Sequence, residues 1–384
     1  MRKTTLILMI LVINNLFSQN KLNGIVLDYE TKKPIEYVDI FNESNFTSTN
    51  SEGKFLFASE KDSINIRLIG YKAINSTFKE IKNDTIYLES KFEVLDEIVI
   101  GNSNAINNVF KEMFNNYPIL SYSELFFLRC SLKKDGEVIK LQDLNGIIKR
   151  KMLLKTPTKP MPKKNYEIEI LNMRKAGIKE KGIYFKMFSF KDIFDITSSI
   201  TIDTKLFNFS QKKSKIDDYT KHYFTSNSQN NSNIEGYYLI NNVDNAILEF
   251  NLTKDKKESS FTEVREYKYR TTSSEIFISF KKSNLDNKYF IDKAKIKAQL
   301  ELITEGKTAI YNVIYSWIRL KETKKEIKRR TSIKKDIFKL KKSYNPEFWD
   351  KQEYLLLTDE LLEFLEKLES PKKEFKTITN IKKE

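Results

Sequence analysis

The stretch from Gly24 to Tyr71 constrains the fold more than any other part of this chain. It alternates β-forming runs with turn chemistry: Gly24 to Leu27, a polar turn ending at Pro34, Ile35 to Phe41, a turn at Asn50-Ser51-Glu52-Gly53, Lys54 to Phe57, and a closing Gly70-Tyr71. Short runs separated by turns about every ten residues predict a small antiparallel sandwich.

The same residues carry a resemblance. The order G-x-V-x-D, K-P-I-x-Y-V-x-I, T-x-x-x-G-x-F and I-G-Y is supplied by Gly24, Val26, Asp28, Pro34, Val38, Thr49, Gly53, Phe55, Gly70 and Tyr71. It resembles the carboxypeptidase-like regulatory domain, over about residues 20 to 90. The resemblance implies a transthyretin-like, non-catalytic sandwich over residues 19–91, of the kind placed at the front of Bacteroidetes envelope proteins.

Ahead of it, Arg2 and Lys3 precede an apolar run from Leu6 to Leu16, followed by Phe17-Ser18-Gln19. This predicts a secretory signal over residues 1–18 and a mature chain starting near Gln19, since the run is too short to span a bilayer. The expected location is the periplasm, in association with the outer membrane. No Cys follows the run, so no acyl anchor is expected, and the single Cys130 offers no internal disulfide. Cys130 reads as a small buried hydrophobe. A net charge of +15 on a secreted chain points to acidic envelope surfaces, phospholipid or lipopolysaccharide head groups, rather than to nucleic acid. A genome that spends Lys, Asn and Ile freely gives the same balance.

The junction Leu95-Asp96-Glu97-Ile98-Val99-Ile100-Gly101 resembles the LDEVVVTG element that follows this domain in TonB-dependent outer-membrane receptors. The resemblance implies docking of an energy-transducer strand by strand addition. The chain beyond Gly101 is too short for a receptor barrel of about 22 strands with about ten residues in each. A last sandwich strand and linker is therefore the preferred reading of Leu95 to Val99.

From Ser103 the period changes. Ile106, Val109, Phe110, Met113 and Phe114 form one helical stripe, with Ser103 as cap and Pro118 as stop, so residues 92–118 read as junction and amphipathic helix. Residues 119–345 read as an antiparallel β domain, with Phe126, Leu128, Cys130 and Leu132 alternating onto one face. Pro157, Pro160 and Pro162 interrupt it. A helix followed by a long meander resembles, remotely, the half-barrels of lipoprotein carriers. The expected fold is thus mainly β: a sandwich, a helix, and a large antiparallel sheet, flat or curled into a half-barrel. Residues 346–384 read as a helix with Leu361, Phe364, Leu365 and Leu368 on one stripe, then a frayed polar tail; Phe348 and Trp349 before it are expected to be buried.

Between Lys321 and Ser343 stand eleven Lys or Arg against Glu322, Glu326 and Asp336. Lys324, Lys325, Lys328, Arg329, Arg330, Lys334 and Lys335 form a candidate patch for an anionic surface, worth about 1 kcal/mol per side chain. A solvated strand face or hairpin tip is the other reading.

Catalysis finds little support. The chain has one histidine, His222, expected to be a partly exposed strand residue, and no HExxH, CxxC, G-x-S-x-G or G-x-G-x-x-G. No catalytic residue, metal site or cofactor is expected. The preferred function is a non-catalytic envelope adaptor or binding module whose partners are outer-membrane or periplasmic proteins, lipid, or an acyl or lipoprotein ligand. A structural or assembly component of TonB-dependent uptake is the alternative, and a hydrolase with paired carboxylates is the third reading.

Overall fold

The computed structural model describes residues 20–81, 84–91, 99–100, 103–156, 160–179, 187–214, 218–230, 232–256, 259–264, 266–370 and 375–381. The expected leader, and Leu95 to Ile98 of the junction, lie outside them. The chain divides into two units, Met1–Glu93 with Lys351–Asp359, and Val94–Asp350 with Glu360–Glu384.

Among its described residues the first unit holds seven strands: β1 (Asn20–Asp28), β2 (Asp39–Phe41), β3 (Phe46–Ser48), β4 (Lys54–Ser59), β5 (Ser63–Arg67), β6 (Ile74–Thr77) and β7 (Thr85–Leu88). They form two sheets, ordered β4-β1-β7 and β3-β2-β5-β6, with β1 and β7 parallel. Val26, Val38, Ile40, Phe55, Phe57, Ile64 and Ile66 fill the core. The strand expected over Ile35 to Phe41 is shorter, because Tyr37 takes a left-handed φ of 65° that breaks the extended run. Thr49 clasps the break: its hydroxyl donates to Ile35 O over 2.7 Å and accepts from Val38 N over 2.9 Å.

Two glycines of the motif have steric reasons. Gly53 sits at φ 73°, and a Cβ there would lie 2.5 Å from Val26 O. At Gly24 a Cβ would meet Asp84 O at 2.6 Å and the Phe55 ring at 3.0 Å. Residues from far down the chain complete this unit. Ser48 N donates to Tyr354 O over 3.1 Å, the Thr47 hydroxyl donates to Glu353 O, and Asn50 Nδ2 donates to Leu357 O over 3.2 Å.

The second unit begins with β8 (Val99–Ile100), α1 (Ser103–Asn116), β9 (Tyr122–Lys134), β10 (Glu137–Arg150), β11 (Tyr166–Ile178) and α2 (Phe190–Ser198). The middle of the chain adds β12 (Phe207–Lys213), β13 (Tyr219–Ser226), β14 (Asn233–Asn241), β15 (Ala246–Asp255) and β16 (Thr262–Val264). Then come β17 (Tyr267–Lys282), β18 (Tyr289–Thr304), β19 (Lys307–Glu322), α3 (Pro346–Asp350), α4 (Asp359–Glu369) and β20 (Thr377–Thr379). Its sheet runs β20-β11-β10-β9-β19-β18-β17-β15-β14-β13-β12-β8, with β16 beside β17. The fold is mainly β, and this sheet does not close into a barrel.

Direct cross-strand partners place Leu128, Trp317, Ala294, Ile278, Phe250 and Tyr238 in one row on one face. Cys130, fully buried, stands beside them opposite Tyr315, and burial pushes its thiol up. The apolar stripe of α1 packs on this face, Phe110 meeting Tyr238 with ring centroids 5.9 Å apart, and Tyr117, just past the helix, meets Phe280 at 5.2 Å. Helix α2 starts in a capping box between Ser189 and Asp192 and covers the β9/β19 region, with Phe190 on Phe126 and Phe194 on Trp317. The opposite face carries a buried ion triad. Arg129 grips Asp143 through Nε at 2.9 Å and Nη2 at 3.0 Å, and Arg174 Nη2 adds a contact of 2.5 Å.

Three expectations are corrected here. The tail is not frayed throughout: β20 pairs with β11, and the Asn380 amide bonds Met173 O and Lys342 O, each at 2.9 Å. Val99 and Ile100 do not close the sandwich but pair with Gln211 and Ser210 of β12. Of the two aromatics before α4, Trp349 is buried, against Phe127 and under the Arg174 guanidinium, whereas Phe348 is half-buried.

Candidate functional site: a basic strap and a buried arginine

The chain leaving β19 is neither a strand face nor a hairpin tip. It is a strap whose backbone is pinned to the sheet and to α2. Lys328 N donates to Glu169 Oε2 over 2.7 Å, Thr331 N to Ile168 O over 2.7 Å, and Lys191 N to Ile333 O over 2.8 Å. At its end Asp336, buried, accepts from Met187 N at 3.0 Å and Phe338 N at 2.9 Å. Ile337, Phe338 and Leu340 then enter the core, and Gln142 Nε2 donates to Ile337 O over 2.7 Å.

Thr323, Ile327, Thr331 and Ile333 turn inward and are half-buried, while Lys324, Lys325, Lys328, Arg329, Arg330, Lys334 and Lys335 are all exposed. Arg330 makes an ion pair with Glu167 at 3.1 Å, yet its side chain stays 72% exposed. Further cations gather at the strap's end. Burial first, and then Lys140, Lys341 and Lys335, hold the Lys175 ammonium below the ordinary lysine value, against the pull of Asp336. Lys140 and Lys175 are separated from the run by more than a hundred residues, so no local pattern announces them.

The motif residues of the first unit lie in its strands, turns and core. Gly24, Val26, Pro34, Gly53 and Phe55 shape β1, its turns and the core, Gly70 takes a φ of 83°, and Asp28 and Tyr71 bond one another. They form no cluster with the strap residues in sequence, and Val99 of the junction is engaged in the β8/β12 pairing. His222 is more buried than expected, at 5% exposure, and faces the Tyr238 side of the sheet as its direct partner. Burial, with Lys213 nearby, lowers its pKa to about 4, so it is neutral at ordinary pH.

A second place escaped the sequence reading. Glu124 of β9, Arg150 of β10 and Arg319 of β19 meet beneath α2: Glu124 Oε1 lies 3.2 Å from Arg150 Nη2, and Glu124 Oε2 accepts from Arg319 Nε at 2.9 Å. Glu124 and Arg150 are each 1% exposed. The Arg150 guanidinium lies 4.7 Å from the Phe194 ring centroid and 5.4 Å from that of Trp317. Among the described residues Arg150 Nε and Nη1, Trp317 Nε1, the Tyr122 hydroxyl and the acceptor Glu124 Oε1 have no hydrogen-bond partner. Alternation could have placed Glu124 and Arg319 on one sheet face, but only the β9/β10/β19 register brings Arg150 to them.

No protein-family model matches the sequence, and a search of curated proteins gives no match. Among solved structures the chain is similar to a domain from Vibrio parahaemolyticus described as an outer membrane lipoprotein-sorting protein domain, with 6% identity and a TM-score of 0.24 over 59% of this chain and 93% of that one. It is also similar to the ywiB protein from Bacillus subtilis, with 10% identity and a TM-score of 0.13 over 52% of this chain and 94% of that one. The S-type phycobiliprotein lyase CPES from Guillardia theta follows, with 10% identity and a TM-score of 0.16 over 57% and 94%. Likeness at this level carries no argument about what the chain binds.

Proposed function

We propose that this chain is a non-catalytic binding module of the cell envelope, which meets an anionic surface through its basic strap while its N-terminal sandwich serves as an adaptor. The observation that supports the reading is the strap's construction: a backbone held by hydrogen bonds to Glu169, Ile168 and Lys191 presents seven cationic side chains outward. A pre-ordered row of charges loses little conformational freedom on meeting head groups. Co-sedimentation with phosphatidylcholine vesicles, with and without phosphatidylglycerol, tests it. Binding should need the anionic lipid, weaken with salt, and fall at least about tenfold in Lys328→Glu/Arg329→Glu/Arg330→Glu. Unchanged binding by that variant would remove the strap from the interface.

A second reading, carriage of an acyl chain by the large β unit, is supported by the aromatic face under α1 and α2, where Phe126, Trp317, Phe190 and Phe194 pack together. Retention of palmitate by the gently purified full chain in native mass spectrometry would support it; a bare chain mass after incubation with palmitate would end it.

A further inference from the structure

We propose that Arg150 is the seat for the anionic head, a carboxylate or phosphate, of an amphipathic ligand held between the sheet and α2. The proposal rests on the acyl-carriage reading and names the group that would recognise the ligand. Four donor groups, two on Arg150 and one each on Trp317 and Tyr122, lie in the same buried neighbourhood and have no acceptor among the described residues. Donors buried without acceptors are costly, and folded proteins satisfy nearly all of them.

The charges lean the same way. Glu124 is the one carboxylate in ion-pair contact with Arg150 and Arg319 among the described residues, and it serves both guanidinium groups. Its Oε1 lies 3.2 Å from Arg150 Nη2 without making a hydrogen bond, and Arg150 Nε and Nη1 have no partner among the described residues. Ordered water would supply acceptors there but no negative charge; an oxyanion supplies both, in the geometry a guanidinium matches best.

The surroundings select what is attached to that anion. Phe194 and Trp317 lie against the Arg150 guanidinium, Phe126 stacks on Trp317 at 4.2 Å, and Tyr122 packs on Phe290 at 5.0 Å. A small hydrated anion gains nothing from these rings, whereas an alkyl or aryl chain does. Because Arg150 is 1% exposed, a ligand reaches it by displacing Phe190 and Phe194 as α2 shifts.

Trp317 is the reporter, and Trp349→Phe removes the other tryptophan. The full chain carrying that change is titrated with palmitate, hexadecanol and inorganic phosphate, and stoichiometry is read by native mass spectrometry. The expected result is one palmitate per chain with a change in Trp317 emission, and hexadecanol binding weaker by about tenfold or more. Arg150→Met should bind palmitate about tenfold more weakly and no better than hexadecanol, with Arg150→Lys between the two. If palmitate and hexadecanol bind the unaltered site equally, or Arg150→Met binds palmitate as well as the parent, the seat is wrong and acyl carriage stands. Absence of binding by either chain-bearing probe overturns both. Phosphate binding without palmitate binding overturns the amphipathic ligand. The palmitate-against-hexadecanol comparison needs no change at Arg150, so a misfolded variant does not shelter the proposal.

Discussion

Tyr71 donates its phenolic proton to Asp28 Oδ2 across 3.1 Å, tying the end of β1 to the turn before β6. Asp28 Oδ1 meanwhile accepts from Thr31 N at 2.7 Å and Glu30 N at 3.1 Å. Burial alone would raise the Asp28 carboxyl, but the bonds from Thr31, Tyr71 and Glu30 outweigh it and hold the pKa below the ordinary value. A depressed carboxylate contributes stability above its unfolded pKa and loses it as pH falls through the folded value. Tyr71→Phe should cost about 1 kcal/mol at neutral pH, and Asp28→Ala more, in denaturant titration of the full chain. Loss of the difference between parent and Asp28→Ala at neutral pH would show that the clasp contributes nothing.

Gly53→Ala should destabilise by about 1 to 3 kcal/mol, because the residue combines φ 73° with a Cβ position 2.5 Å from Val26 O. A melting temperature equal to the parent's would mean that the turn rearranges freely.

The pH response of the large unit should carry the mark of His222. Its folded pKa of about 4 lies below the ordinary 6.5, so the unfolded chain binds the extra proton between those values. Stability from this site is complete above the unfolded pKa and drains away as pH falls toward the folded one, by roughly 3 kcal/mol at most. His222→Leu should narrow the gap in melting temperature between about pH 7.5 and about pH 5. An equally wide gap in the variant would assign the acid sensitivity elsewhere.

Asp336 should govern how firmly the strap is held. Replacing it with Ala removes the acceptor for Met187 N and Phe338 N, each a bond to a buried charge worth about 1.5 to 3 kcal/mol. Limited trypsin digestion should then cut after Lys334 and Lys335 several times faster than in the parent. Equal rates would mean that the buried Ile337 and Phe338 suffice as anchors.

How much of this was readable in advance follows from where the causes lie. Turns and helical stripes were legible because their causes are local: Asn50 and Gly53 make their own turn, and Ile106, Val109, Phe110 and Met113 recur at helical spacing. Tyr37 was misread because its left-handed backbone depends on Thr49, twelve residues on. The strap's charge was plain in the sequence, but its fixation was not, since Glu169 and Ile168 reach it from another strand. The Glu124, Arg150 and Arg319 meeting was invisible for the same reason, since the three lie on β9, β10 and β19 and are joined only by register.

The hydrogen bond from Thr47 to the Glu353 carbonyl spans 306 residues. During synthesis, strands β1 to β7 emerge first, yet the outer side of β3 finds its neighbour only when Tyr354 and Leu355 have left the ribosome. Until then the first-made unit waits with an unpaired edge, the kind of surface that invites pairing with the wrong strand. The order of manufacture and the order of completion therefore run in opposite directions, and the earliest part of the protein is among the last to be finished.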